Sequence, residues 1–354
     1  MKFIQIVIFL LFFNTAYAEK IKIVDPNGKF YRIESWKDGK LNGASSLYNI
    51  NGQILGEWNY KNNQLNGETR YYYDNKKIKR ITPYANGLLE GLSQIFHQNG
   101  NIYTQTNFQK GKLNGKVETF NQYGQKRFQK FYKDNILNHF QTYYENGVLA
   151  EEAFYKNNLI DGELKKYFES GQLKKIENFT DGNLNGGSKE FYETGEIFKE
   201  SMYEKHIKKG PEITYYRNGI VKSKVEFNGK YKVGSSIFYF ENGDLSSFHN
   251  WEGGKLNGFL ISFYPNRNVK SITDFINGRK EGKAYQFFPQ GPLNLEWSFS
   301  QDVLDGVTKG YYLNGNIQGL GRFKKGKVDG ATKEFNPDGS IKNVIVFKNG
   351  VMQK

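Results

Sequence analysis

From residue 21 onward, apolar and polar side chains fall on a grid that repeats along the chain. Between Ile54 and Tyr60 they alternate with period two, which puts these two residues on one face of a strand. Tyr48 lies across a turn from Ile54, so the paired strands share that row of aromatic and aliphatic side chains. Lys, Glu, Gln and Thr fill much of the remainder. The turn between the strands is usually Asn-Gly, as at Asn51-Gly52, Asn99-Gly100, Asn146-Gly147 and Asn218-Gly219. Asn-Gly tolerates the positive φ angles of a type I′ turn, whose twist suits paired strands, so a type I′ hairpin is predicted there. The other reversal reads Asp-Gly-Lys-Leu-Asn-Gly, a glycine-rich loop. No segment sustains a 3.6-residue apolar stripe with caps, so helix is not expected.

The grid has a period. An opening aromatic stands at Trp36, Tyr60, Tyr84, Phe108, Tyr132 and Tyr155, and continues from Phe179 to Phe347. Every step is 24 residues except Tyr132 to Tyr155, which is 23. All fourteen positions are aromatic in a chain that is only 16% aromatic, which rules out coincidence. Seven residues later stands Gly, from Gly43 to Gly330, with His139 as the exception. Twelve residues after the opening aromatic comes a second, such as Tyr48, Phe96, Tyr215 and Phe335. An aliphatic follows two residues past the turn Gly, as at Ile54, Ile102 and Ile197. The shortened repeat is expected to have lost its residue in the hairpin near Asn146.

One hairpin is marginal in water, so stacked copies must cover one another. The predicted architecture is all-β: an elongated single-layer meander, or solenoid, of stacked 24-residue β-hairpin repeats. At two strands per repeat and about 4.8 Å per strand, it would extend on the order of 130 Å. The expected division is a signal peptide at 1–18, an N-terminal partial repeat at 19–35, thirteen repeats over 36–346, and a C-terminal partial repeat at 347–354.

The repeat resembles the MORN repeat, in its degenerate bacterial variant. The match lies in Tyr-x-x-Gly-x-x-x-Gly followed by an aromatic pair, Asn-Gly and Leu or Ile. Tyr155-Lys-Asn-Asn-Leu-Ile-Asp-Gly162 with Tyr167-Phe168 and Gly171-Gln-Leu173 is a typical copy. The resemblance covers residues from about 21 to 354. It implies a twisted run of hairpins used as an interaction platform, in a family connected with membrane association, scaffolding and toxin neutralisation. It supplies no residue signature for any of these roles. The repeats from Tyr203 to Gly234 depart most from the pattern, with His206, Ile207, Lys208, Tyr231 and Lys232 in their loops.

The ends and the charge add to this reading. Lys2, the apolar run Phe3 to Phe13 and Ala16-Tyr17-Ala18 read as a secretory signal cleaved after Ala18. The expected location is therefore extracytoplasmic, periplasmic or secreted. With no Cys there is no disulfide and no thiolate metal site. The net charge of +14 is spread evenly: 24 basic against 18 acidic side chains over 19–186, and 25 against 18 over 187–354.

Chemistry-bearing constellations are sparse. His97, His139, His206 and His249 occupy different places in the repeat, so stacking does not gather them. Glu151 and Glu152 are strand neighbours and point to opposite faces. No Gly-x-Ser-x-Gly or phosphate-loop motif occurs. No catalytic residue, metal or cofactor is expected, and the chain reads as a non-enzyme. The candidate binding residues are basic: Lys76, Lys77, Lys79 and Arg80 around one turn, Lys126, Arg127 and Lys130 (with Lys133) near another, and Lys165 and Lys166 (with Lys174 and Lys175) at a third. Interleaved with Tyr and Phe, they would track an anionic lipid or glycan surface; as edge lysines they would discourage aggregation. The expected partner is another protein held by an extended scaffold, with nucleic acid disfavoured. The alternatives are a peripheral adhesive binder and an antitoxin or immunity-like protein.

Overall fold

The computed structural model describes residues 19–353; the signal peptide expected at 1–18 and Lys354 lie outside the described residues. Among the described residues every regular element is a β-strand. The described residues form two compact units, 19–173 with Phe179–Gly182, and Lys174–Asn178 with 183–353. Each is considered by itself.

In the first unit the strands form an antiparallel meander in chain order. Ile54–Lys61 pairs with Gly43–Asn49 on one side and Gly67–Tyr72 on the other. The same alternation runs through Leu149–Lys156 and Leu159–Tyr167. The second unit repeats the scheme from Asn183–Phe191 to Ile341–Lys348. Numbering each repeat from its opening aromatic as position 1, an outgoing strand ends at position 13. A return strand begins at position 19 and runs into position 2 of the next repeat.

The two turn types are the reverse of the sequence expectation. At the Asn-Gly turn, Asn51 has ordinary negative φ and only Gly52 is left-handed, at +76°. Gly52 N–H donates to Asn49 O at 3.0 Å, and Asn49 N–H donates to Gln53 O at 2.9 Å. This is a type I turn closed by a glycine bulge. The two-residue turn with both φ positive is at the other end, as in Asn62 (50°) and Asn63 (68°) or Asp38 (52°) and Gly39 (71°). It joins Lys61 directly to Gln64. The dipeptide does not decide: Asp38-Gly39 makes this two-residue turn, and so do Asn86-Gly87 (49° and 80°) and Asn277-Gly278 (53° and 84°).

Simple alternation also fails at one place. Tyr48 opposes Ile54, while Leu47 opposes Gly56, so one extra residue is taken up on the return strand. The bulge recurs, for example at Thr119/Phe120 and Ser262/Phe263. It transfers the aliphatic at position 19 to the face opposite the next opening aromatic. The row expected from Ile54 to Tyr60 is thus divided between two faces.

A sheet of this kind buries little. The fully covered side chains lie mid-strand at positions 10 and 23 and are small: Ser236 is 0% exposed, Ala153 1% and Ser45 2%. The large rings are half-buried and lie across such small residues. A Cβ added to Gly56 would fall 2.7 Å from the Trp58 ring and 3.3 Å from Tyr71. Those two rings stack at 6.0 Å.

The shortened repeat is explained by its register. In the preceding repeat Thr106 opposes Val117 and Phe108 opposes Leu113, so the outgoing strand carries two extra residues. Gly115 is one of the residues that take up this slack, at φ +106°. In the shortened repeat Phe131 opposes His139 and Tyr132 opposes Leu137, which leaves one extra residue. The deleted residue is the glycine itself, between Asn138 and His139. The hairpin at Asn146 is intact, with Gly147 N–H on Tyr144 O at 3.0 Å.

Candidate functional site

Three sets of side-chain bonds tie many neighbouring repeats together. At the Asn-Gly edge, the position-14 side chain reaches the backbone carbonyl of position 13 one repeat on: Tyr73 to Phe96 (2.6 Å), Tyr144 to Tyr167 (2.7 Å), Tyr192 to Tyr215 (2.8 Å) and Tyr264 to Phe287 (2.9 Å). His97 takes the same place, with Nε2 3.1 Å from Phe120 O. Beside it the turn Asn donates to the next turn: Asn99 to Gln122 O at 2.7 Å, Asn146 to Glu169 O and Asn218 to Glu241 O at 3.0 Å. At the type I′ edge, Asn63 Oδ1 accepts from Leu41 N–H and Asn135 Oδ1 from Leu113 N–H, both at 2.7 Å. His206 Nδ1 lies 3.3 Å from Leu184 N–H in the same role. His206 is therefore a turn residue that replaces Asn in the left-handed conformation, at φ 67°.

The third set lies on one sheet face. Glu at position 22 accepts a hydrogen bond from the Tyr hydroxyl 15 residues on: Glu57 from Tyr72, Glu152 from Tyr167 (2.7 Å), Glu200 from Tyr215 (2.7 Å) and Glu296 from Tyr311 (3.3 Å). Burial, and then the neighbouring carboxylate, push the Tyr72 and Tyr215 hydroxyls up to about 12 and raise Tyr167 further. Glu200 is held below the usual carboxylate range by the Tyr215 hydroxyl and Lys189. Glu296 is lowered chiefly by Lys283. For Glu152, burial acts upward, but hydrogen bonds from Tyr167 and Gln141 outweigh it. Where the Glu gives way to Ile81, Ile176, Ile272 or Leu320, the residue 15 on is Phe. This pairing was present in the sequence as a constant spacing and escaped the repeat count.

The sequence-derived basic residues are placed on both faces and at a turn. Lys76 occupies the turn-glycine position, at φ 65°. Lys77 Nζ donates to Asn99 O at 2.7 Å. Lys79 lies over Tyr73 (5.6 Å) and Arg80 over Tyr71 (4.6 Å). Lys126 is 2.6 Å from Glu118, and Arg127 is 3.5 Å from Glu145. Lys130 lies 5.5 Å from the rings of both Phe128 and Phe140. Lys165 meets Glu163 at 2.9 Å, and Lys166 meets Glu151 at 3.8 Å. Cross-strand carboxylates and rings engage most of these cations, which the sequence alone does not reveal.

The deletion at Asn138–His139 sets a histidine ring face to face with rings on both neighbouring strands. His139 stacks between Phe131 (5.3 Å) and Phe154 (4.5 Å, 7° between planes). Its Nε2 is 3.6 Å from Glu152. His249 lies elsewhere, 4.8 Å from Phe238, and burial, then Lys232, lowers its pKa. Among the described residues no group of three or more His, Asp or Glu side chains could hold a metal ion. No helix among them is long and apolar enough to cross a membrane.

The MORN repeat variant matches at residues 65–86, 89–110, 138–157, 160–181, 208–228 and 304–325. This is a MORN-repeat chain. The matched MORN segments begin near position 6 of one repeat and end in the type I′ turn of the next, so each spans one bulge hairpin and its lock to a neighbour. No curated protein sequence matches the chain. Among solved structures, a chain of the Photorhabdus luminescens Tc holotoxin pore carrying the TccC3-D651A mutation is similar at 12% identity. The match covers 93% of the MORN-repeat chain but only 17% of that chain, with a TM-score of 0.16, and carries no argument.

Proposed function

We propose that this MORN-repeat protein is an exported, non-enzymatic scaffold that holds a protein partner outside the cytoplasm. The observation that carries the reading is the repeat-to-repeat locking. Tyr73, Tyr144, Tyr192 and Tyr264 each fasten one repeat to the backbone of the next. A surface ordered before the partner arrives loses less conformational entropy on binding, which favours a binding platform. The signal-like pattern of Lys2, Phe3 to Phe13 and Ala16-Tyr17-Ala18 supports export.

The test is a pull-down with the tagged protein from envelope fractions and culture medium, washed at low and at high salt. A defined protein retained through the high-salt wash supports the scaffold. Hydrolytic activity of the purified chain, abolished by one point substitution, would contradict it. Cell fractionation checks export: recovery of the full chain, leader included, from the cytoplasm alone would overturn that part.

A further inference from the structure

The meander puts the two turn types at opposite ends of its strands, and their compositions differ. In the second unit, positions 2–5, which make the type I′ edge, carry eight Lys or Arg and three Asp or Glu, a net of +5. Positions 15–18, which make the Asn-Gly edge, carry two basic and five acidic residues, a net of −3. The first unit leans the same way, with seven basic against three acidic residues (+4) on the type I′ edge and three against three on the other. All fifteen type I′ cations are exposed. Among the described ion pairs, only Lys112 of these fifteen is engaged, at 3.8 Å from Asp134. This contrasts with the strand lysines, whose charges are largely met by neighbours.

The same edge of the second unit carries large apolar side chains in the open: Ile207, Tyr231, Ile276, Val303 and Val351, between 42% and 65% exposed. Three of them lie flat on the next turn. Tyr231 covers Gly254, Val303 covers Gly326 and Ile207 covers Gly229, where an added Cβ would fall 2.9, 3.3 and 3.8 Å from them. Side chains held down in this way make a fixed apolar strip between cations and do not project for insertion into a bilayer. Turns of successive repeats are about 10 Å apart, two strand spacings, and Lys255 and Arg279 hold the corresponding places between Tyr231 and Val303.

We propose that the type I′ edge of the second unit docks an extended acidic protein segment bearing apolar side chains. Its carboxylates meet the unpaired lysines, and its apolar groups lie on the strip of Ile207, Tyr231 and Val303. The proposal rests on the scaffold reading and assigns the partner's chemistry and place.

The test uses the full chain and, as probe, a labelled random copolymer of glutamate and tyrosine. Reversing Lys324→Glu, Lys325→Glu and Lys327→Glu together is expected to weaken binding about ten-fold, since facing charges govern such encounters. Reversing Lys76→Glu, Lys77→Glu and Arg217→Glu, with the same net change at the Asn-Gly edge, is expected to leave it nearly unchanged. Tyr231→Ser is expected to weaken copolymer binding but not that of polyglutamate. Equal weakening by both triple variants would overturn the assignment and leave only diffuse charge. Binding to phosphatidylserine vesicles without binding to the copolymer would overturn it in favour of a membrane. A partner retained equally by wild type and by the Lys324/Lys325/Lys327 variant in the high-salt pull-down would remove the edge assignment alone, whereas no retained partner at all would remove the scaffold reading.

Discussion

The repeat that opens at Phe108 and the one that opens at Tyr132 differ by one glycine, and the two solve the same pairing problem differently. The first spends two extra residues on its outgoing strand, with Gly115 at φ +106°, and keeps its position-9 residue, Lys116, out of register with the preceding return strand. The second spends one, which brings His139 directly opposite both Phe131 and Phe154. The glycine therefore works as a spacer. Its presence isolates neighbouring hairpins on that face, and its loss joins three rings. A deletion that looks like drift in the repeat count creates the most continuous aromatic contact in the first unit.

The sharpest break in this comparison is Gly115→Val. A β-branched residue is strained at that φ, and its Cβ would fall 3.2 Å from Asn107 Cβ. The cost is expected at about 1–3 kcal/mol, read by chemical denaturation. Gly162 has the same φ, +106°, with nothing within 4 Å of an added Cβ, so Gly162→Ala should cost less and isolate the backbone part. Inserting Gly between Asn138 and His139 should restore the two-residue bulge and disperse the stack. Loss of the His139 ring-current shifts, with about 0.5–1.5 kcal/mol of stability, would show it. Tyr167→Phe removes a hydroxyl from Glu152 and should cost on the order of 1 kcal/mol.

The smallest expected effect concerns pH. Glu200 and Glu296 have folded pKa values below their ordinary 4.5, so the stability they contribute is present above that value. It is lost as pH falls through the ordinary value toward the depressed one. Glu200→Gln should flatten the acid limb of a thermal-midpoint profile while leaving the neutral limb little changed. An unchanged acid limb would show that the Tyr215–Glu200 pair is not linked to folding.

Much of this was legible because the chain repeats. Fourteen opening aromatics made the repeating hairpin legible, since each position was sampled many times, and no helix occurs among the described residues. The turn types were not legible from dipeptides. Asn-Gly suits both a type I′ turn and a type I turn with a glycine bulge, and only the number of residues between paired strands decides. Tyr48–Ile54 pairing leaves five residues between partners, whereas Lys61–Gln64 leaves two. The missing residue was assigned to Asn146 because spacing locates a deletion only within a repeat, and register is needed to place it at His139. The partners of the basic residues, such as Glu118 for Lys126 and Glu151 for Lys166, were not legible because they stand on neighbouring strands.

The central claim is that each repeat is held by its neighbours alone, so that the surface is assembled locally. Every described side-chain hydrogen bond reaches at most 23 positions along the chain, as those of Tyr73 and Asn99 do. The direct measurement is hydrogen exchange on the chain carrying Asn99→Thr and Gly100→Val, at a turn where Gly100 has φ +99°. Protection should fall in the strands Gly91–Phe96 and Ile102–Gln109 and persist in Val269–Ile276 and Arg279–Phe287. A uniform loss of protection across both units would contradict the account.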